Sequence, residues 1–257
     1  MKNHYLRLTF LLGLSLCLSS PIWGSLADHP YYAEHLASIQ KETDQKLKSL
    51  LGEAIDNNIV FSYKAARRYL FGDIYLEKRG SKYVVTDTYC EEDFTPQDGV
   101  GPDQIPNHQQ VNCEHTWPQS RFNGRQSRSA QKSDLHHLFP VKAIANSARG
   151  NILFGEVNGG KLSGCEASLR GDDIYKNTAA FEPPKSHKGN VARAIFYFAV
   201  RYKMDIPATE ELHLRQWHRL DPADSDEIRR HERIYELQGN RNPFIDDPDL
   251  IEQFTDI

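Results

Sequence analysis

The chain has 257 residues, 39% of them hydrophobic and 26% charged, with a formal charge of −4 at pH 7. That length suits one sizeable core or two small ones. The negative balance argues against a protein coated with basic patches, and no segment after the N-terminus is apolar enough to cross a bilayer.

The first 27 residues read as a secretory signal. Lys2 and Arg7 give a positive start, Leu8 to Leu18 is almost wholly apolar, and Ser25 and Ala27 offer small residues for cleavage before Asp28. The apolar run of about 11 residues is too short to span a membrane. A lipid anchor at Cys17 is the alternative, but Leu16 is bulky for it; an uncleaved N-terminal anchor is another. The expected mature chain is one domain over 28–257, monomeric, in the periplasm or outside the cell. No Pro/Ser/Gly-rich linker, repeat or low-complexity tract divides it. Removing the signal leaves 29 basic and 35 acidic side chains, or −6.

Residues 31–54 carry apolar positions at Leu36, Ile39, Leu47, Leu50 and Leu51, the pattern of an amphipathic helix. Phe61 to Phe71 reads as a second helix, ended by Gly72. Short strands are expected over 74–76 and 83–89, with Arg79-Gly80-Ser81 as the turn. Pro96 to Asn107 reads as a loop. Val191 to Tyr202 is a buried helix, introduced by Gly189 and Asn190. Thr209 to Leu220 and Ser225 to Leu237 are more polar helices, separated at Asp221-Pro222. The class is α+β with more helix than strand. From Asn107 to Asn158 periodicity fades and polar, chemically capable residues crowd together, as in loops that carry chemistry.

Three motifs stand there. Glu114-His115 pairs a carboxylate, able to hold a cation, with an imidazole, able to take a proton. On a strand the two side chains point to opposite faces, so a shared site needs a backbone turn, for which Pro118 is placed. Alone, the pair reads as well as a surface acid beside a half-buried histidine. Asp134, His136 and His137 offer metal ligands or residues that orient them, or structural hydrogen bonds; the spacing is not HExxH. Asn146 to Asn151 holds a carboxamide able to ligate a hard cation and, in Arg149, a fork suited to phosphate, or else a simple turn.

Three cysteines remain after cleavage: Cys90, Cys113 and Cys165. An exported protein favours one disulfide with one thiol left over. Cys90–Cys113 is the pairing expected, since both lie near predicted strand ends. No CxxC points to structural zinc.

In order, Asn112-Cys113-Glu114-His115-Thr116-Trp117-Pro118-Gln119-Ser120, Ser133-Asp134-Leu135-His136-His137-Leu138-Phe139-Pro140 and Asn146-Ser147-Ala148-Arg149-Gly150-Asn151 resemble the endonuclease I family of secreted and periplasmic nucleases. These belong to the ββα-metal, or His-Me finger, nucleases. Weaker likeness extends from Tyr89 to Tyr202. The resemblance implies a two-stranded ribbon and a helix around one divalent ion, usually Mg2+, with Mn2+ or Ca2+ able to substitute in binding. It implies His115 as general base, Glu114 and Asn146 as metal ligands, and Asn146 at or near the start of the helix. Asp134, His136, His137 and Asn151 would support them. It also implies an arginine on the scissile phosphate. Arg121, Arg125 and Arg128 compete for that place; Arg125 is chosen, with Arg149 beside it. Where some relatives carry a Glu two residues before the motif Asp, this chain has Lys132.

From Glu114 to Gly150 six basic residues face two acids, whereas from Asp205 to Ile257 six face fourteen. A basic centre in an acidic shell fits a cleft for a polyanion. The leading expectation is an exported endonuclease cutting DNA, and RNA too, with little sequence preference and leaving 5′-phosphates. The alternatives are an extracellular ribonuclease on the same scaffold, an inert nucleic-acid- or metal-binding protein, and a zinc hydrolase built on Asp134, His136 and His137.

Overall fold

The computed structural model describes residues 26, 29–33, 35 and 44–257. The expected signal, Leu26 apart, and the expected helical positions Leu36 and Ile39 lie outside the described residues. Helix accounts for 48% and strand for 19% of what is described, an α+β fold with more helix than strand.

The centre is α5 (Lys188–Tyr202), with thirteen of its fifteen residues buried. Its apolar residues run all round, which requires neighbours on every side. These include α1 (Asp44–Ala54), through Leu47 and Leu51, α6 (Ala208–Leu220) and the short α8 (Pro243–Asp246). Gly189, read as a helix boundary, lies inside α5. A Cβ there would sit 1.9 Å from the Asp221 carbonyl oxygen, so only glycine lets the helix approach that closely.

The second predicted helix is α2 (Tyr63–Tyr69), capped by the Ser62 hydroxyl. It does not stop at Gly72 but continues as a π-helix over Leu70–Ile74. Gly72 is needed for packing: a Cβ would lie 2.6 Å from the Asp103 amide nitrogen. The strand expected at 74–76 therefore begins later, as β1 (Glu77–Arg79), and turns at Gly80 into β2 (Lys82–Thr86) and β3 (Asp93–Phe94).

The working unit is β4 (Val111–His115) paired antiparallel with β5 (Leu138–Lys142), followed directly by α4 (Ala143–Arg149). The register sets Cys113 against Pro140 and Glu114 against Phe139. The connection between the strands carries α3 (Arg128–Ser133). Val111, Cys113 and Leu138 pack into one apolar cluster with Leu70, Leu135 and Ile234. Val141 and Ala145 join the larger core around α5. The hairpin and helix are thus clamped between two apolar bodies.

A four-stranded sheet was not legible. It comprises β6 (Leu153–Phe154), β7 (Val157–Leu162), β8 (Cys165–Asp173) and β9 (Ala179–Glu182), in the order β6-β9-β8-β7. β7 and β8 are polar and glycine-bearing, with Gly159 opposite Gly171. Their backbones approach so closely that a Cβ at Gly159 would lie 2.3 Å from the Arg170 carbonyl oxygen. No alternation marks such strands.

The disulfide joins Cys90 to Cys165, not Cys113. Cys113 shares the inward face of β4 with Val111, where its thiol is buried and free. Cys165 opens β8 and is carried to Cys90 by that sheet; the Ser168 hydroxyl donates to the Tyr89 carbonyl at 2.7 Å.

Further along, α7 (Ser225–Gln238), expected over Ser225 to Leu237, is capped by Asp224 and ends at Gly239. No helix among the described residues is long and apolar enough to cross a membrane.

Candidate active site

Glu114 and His115 close β4, and the chain turns immediately after them toward Pro118. That turn lets neighbouring residues of a strand line one pocket. Its volume is about 350 Å³, and Glu114, His115, Asn146, Arg149 and Asn151 line it with Tyr63, Gln119 and Ser120.

Glu114 is only 2% exposed. Its Oε1 accepts the Tyr89 hydroxyl at 3.0 Å and lies 3.3 Å from Nη1 of Arg149. Burial pushes its carboxyl up from the ordinary range, while the Arg149 charge and the Tyr89 hydrogen bond hold it back. Tyr89 is fixed in turn by Asp87, whose Oδ1 accepts the amides of Tyr89 at 3.0 Å, Cys90 at 2.8 Å and Lys142 at 3.2 Å. The motifs pointed to neither Tyr89 nor Asp87. The strand expected over 83–89 ends at Thr86, and both residues lie in the loop that links β2 to β3, which brings Tyr89 to Glu114.

His115 has Nε2 3.0 Å from the Lys132 carbonyl oxygen. A carbonyl only accepts, so in the neutral ring the proton is assigned to Nε2 and the lone pair to Nδ1. Nδ1 lies 3.4 Å from the Gln119 side-chain amide. Burial, then the nearby His137, drives the imidazole well below its ordinary pKa, so it is neutral at pH 7. The contact explains why Lys132 is tolerated here: the atom facing His115 belongs to the backbone.

Asn146 stands in the first turn of α4, half-buried, with Nδ2 3.5 Å from the Cys113 carbonyl oxygen. Arg149, at the other end of α4, is 1% exposed. It donates to the carbonyls of Thr116 at 2.7 Å, Gly150 at 3.2 Å and His115 at 3.4 Å. Its fork therefore pins the end of β4 and one oxygen of Glu114 instead of standing open for a phosphate. Asn151 donates to the Ser120 hydroxyl at 3.4 Å.

Asp134, His136 and His137 are buried and line no part of this pocket, although the His137 ring packs 5.3 Å from that of His115, centroid to centroid. Asp134 Oδ2 accepts the hydroxyls of Tyr197 and Tyr202, both at 2.8 Å. Oδ1 accepts the His136 amide at 3.0 Å and Gln238 at 2.9 Å. Nε2 of His136 faces the Asn240 carbonyl at 3.1 Å, and that of His137 the Gln131 carbonyl at 2.8 Å. The cluster ties the α3–β5 connection to α5 and α7. Of the competing arginines, Arg121 is drawn to Glu210 at 3.3 Å and Arg125 is exposed, lining no part of the pocket. Arg128 donates to the Gln119 carbonyl at 3.4 Å, at the pocket edge.

Two hard oxygen donors, the Glu114 carboxylate and the Asn146 carboxamide, thus face one open pocket from a strand and a helix. Mg2+ favours such a set, keeping several waters and needing one carboxylate beside substrate oxygens. A buried carboxylate opposed by a single arginine through one oxygen suits a cation.

The sequence profile of endonuclease I matches residues 43–249. The chain belongs to the endonuclease I family. It is 36% identical over 160 residues to an extracellular ribonuclease of Bacillus amyloliquefaciens, covering 55% of this chain and 53% of that protein. It is 33% identical over 115 residues to an extracellular and to a periplasmic deoxyribonuclease of Aeromonas hydrophila, covering 45% of this chain and 49% and 48% of theirs. The chain spans about half the length of the curated relatives it matches.

Proposed function

We propose that this member of the family is an exported endonuclease that hydrolyses phosphodiester bonds of DNA, and of RNA, using one divalent ion and leaving 5′-phosphates. One observation carries the reading: a neutral His115, whose Nδ1 meets only the Gln119 side-chain amide at 3.4 Å, shares a pocket with Glu114 and Asn146. Nδ1 takes the proton of the attacking water, and the Lys132 carbonyl, hydrogen-bonded to Nε2–H, stabilises the imidazolium that results. Gln119 orients that water, and Arg149 keeps Glu114 and the strand end in place. Held by Glu114 and Asn146, Mg2+ would neutralise the charge that develops on the phosphate and the leaving 3′ oxygen. Departure of the 3′ oxygen leaves the phosphate on the 5′ side. Arg125 is too far out to line the pocket, and Arg128 is better placed for a phosphate. Residues 1–27 direct export.

A second reading, an extracellular ribonuclease, is favoured by one finding. The ribonuclease match extends over 160 residues, those to the deoxyribonucleases over 115. Purified protein incubated with plasmid and with RNA, each in magnesium or EDTA, tests both. Cleavage of both substrates in magnesium alone, with 5′-phosphate ends, is expected. Cleavage of RNA only selects the second reading, and full activity in EDTA removes the metal from the mechanism.

A further inference from the structure

The pocket has charge on its rim that no carboxylate answers. α2 and α3 pack against each other beside β4. At their contact, Tyr63 lies 5.5 Å from the His115 ring, centroid to centroid, and itself lines the pocket. Two cations converge on this tyrosine: the Arg67 guanidinium 5.4 Å and the Lys132 ammonium 4.4 Å from its ring centre. The Arg67 Nε is buried without a hydrogen-bond partner. One helical turn before Lys132 on α3 stands Arg128, resting on the Phe122 ring at 5.5 Å and donating to the Gln119 carbonyl. None of Arg67, Lys132 and Arg128 makes an ion pair among the described residues.

Several cations elsewhere are paired instead. In the C-terminal helices Arg215 pairs with Glu211, Arg219 with Glu252, Arg229 with Asp226, and Arg233 with Asp73 and Glu236. The chain is acidic overall and has carboxylates to spare, yet leaves the three rim cations without one. All three are held on aromatic faces, which orient a cation while leaving its outward N–H groups available.

We infer that Arg67 and Lys132, oriented by Tyr63, grip a backbone phosphate flanking the scissile one on a nucleic-acid strand, and that Arg128, one turn away on α3, grips the neighbouring phosphate of the same strand. The inference rests on the nuclease reading above and names the surface by which that site holds its substrate. Binding by such contacts is sequence-independent and steeply salt-dependent.

The test uses the full chain with His115→Ala, so that substrate stays intact, binding a labelled DNA duplex in magnesium over a series of salt concentrations. Adding Arg67→Gln and Lys132→Gln, which together serve one phosphate, should make the slope of log affinity against log salt shallower by about one, and Arg128→Gln by about one more. Arg219→Gln should leave the slope unaltered, and Lys132→Arg should retain the parent value. With His115 present, the Arg67→Gln, Lys132→Gln loss in kcat/KM on a long oligonucleotide should exceed that on bis(p-nitrophenyl) phosphate by roughly tenfold or more. That small diester has no flanking phosphates. An unaltered slope in both the double variant and Arg128→Gln, each with the parent's melting temperature, overturns the assignment. Equal losses on the two substrates also overturn it, since they mean that the pair only holds Tyr63 against His115. Arg128→Gln lies at the surface and reports on the track even if the double variant fails to fold. If the wild-type chain cuts neither DNA nor RNA while the salt slopes shift as stated, the nuclease reading fails and the phosphate track stands.

Discussion

Glu114-His115 and Asp134-Leu135-His136-His137 set acids beside imidazoles in the same short stretch of chain, and both are buried. Their surroundings separate them. Asp134 accepts four hydrogen bonds from four residues, and Nε2 of each neighbouring histidine is engaged by a backbone carbonyl. Their Nδ1 atoms are sealed in the core. His115 is also held by a carbonyl on Nε2, but its Nδ1 belongs to a pocket, and Glu114 borders that pocket with Asn146. The same residue types are buried scaffold in one place and border an open pocket in the other. What decides is whether a polar atom with remaining capacity faces space that a substrate can enter.

The sharpest way to break this comparison is to truncate both sides of it. His115→Ala should lower turnover on the order of 10²–10⁴-fold, the usual contribution of a positioned base. The melting temperature should stay the same, and added magnesium should not restore activity. Glu114→Ala should instead lose activity that higher magnesium partly restores. Near wild-type cleavage by His115→Ala would remove the imidazole from the mechanism. Asp134→Ala should act on stability: it leaves the hydroxyls of Tyr197 and Tyr202, the Gln238 amide and the His136 N–H without their acceptor. At about 1–3 kcal/mol per stranded group, partly offset by relaxation, the loss should approach the whole stability of a typical domain. A urea midpoint close to wild type would contradict a structural role.

A smaller effect follows from pH. Burial lowers His136 and His187 from 6.5 to about 3, and His137 to about 4. Below pH 6.5 the unfolded chain takes up protons that the folded chain refuses. Stability should therefore hold above that pH and fall continuously as pH drops toward 4. Denaturant midpoints measured across this range check it, and a flat profile would mean that these rings are protonated in the fold.

Much of the fold was legible because it rests on local periodicity. α5, α6 and α7 appear close to where residue patterning and the break at Asp221-Pro222 place them. Glu114, His115 and Asn146 were legible as an ordered set of motifs, and the structure brings all three to one pocket with Arg149 and Asn151. Their roles in catalysis and metal binding remain with the experiments above. Two expectations about Arg149 and the disulfide changed for a shared reason. Arg149 has the fork of a phosphate ligand, but its neighbours are carbonyls exposed where β4 ends. Cys113 is near a strand end, but strand alternation turns it into the core.

By itself the sequence determined the α+β class, the long helices and the identity of the residues with chemical capacity, since these follow from spacing and side-chain type along a short stretch. Tertiary structure alone decided which capacity stays open. Tyr89 reaches Glu114 from 25 residues away, and Gln238 reaches Asp134 from 104 residues away. Cys165 meets Cys90 across a separation of 75 residues, and Tyr63 gathers Arg67 and Lys132 at the rim of the pocket. Such partners are chosen by packing between distant segments, where burial forces every polar atom to find a complement, and no local pattern in the chain encodes that choice.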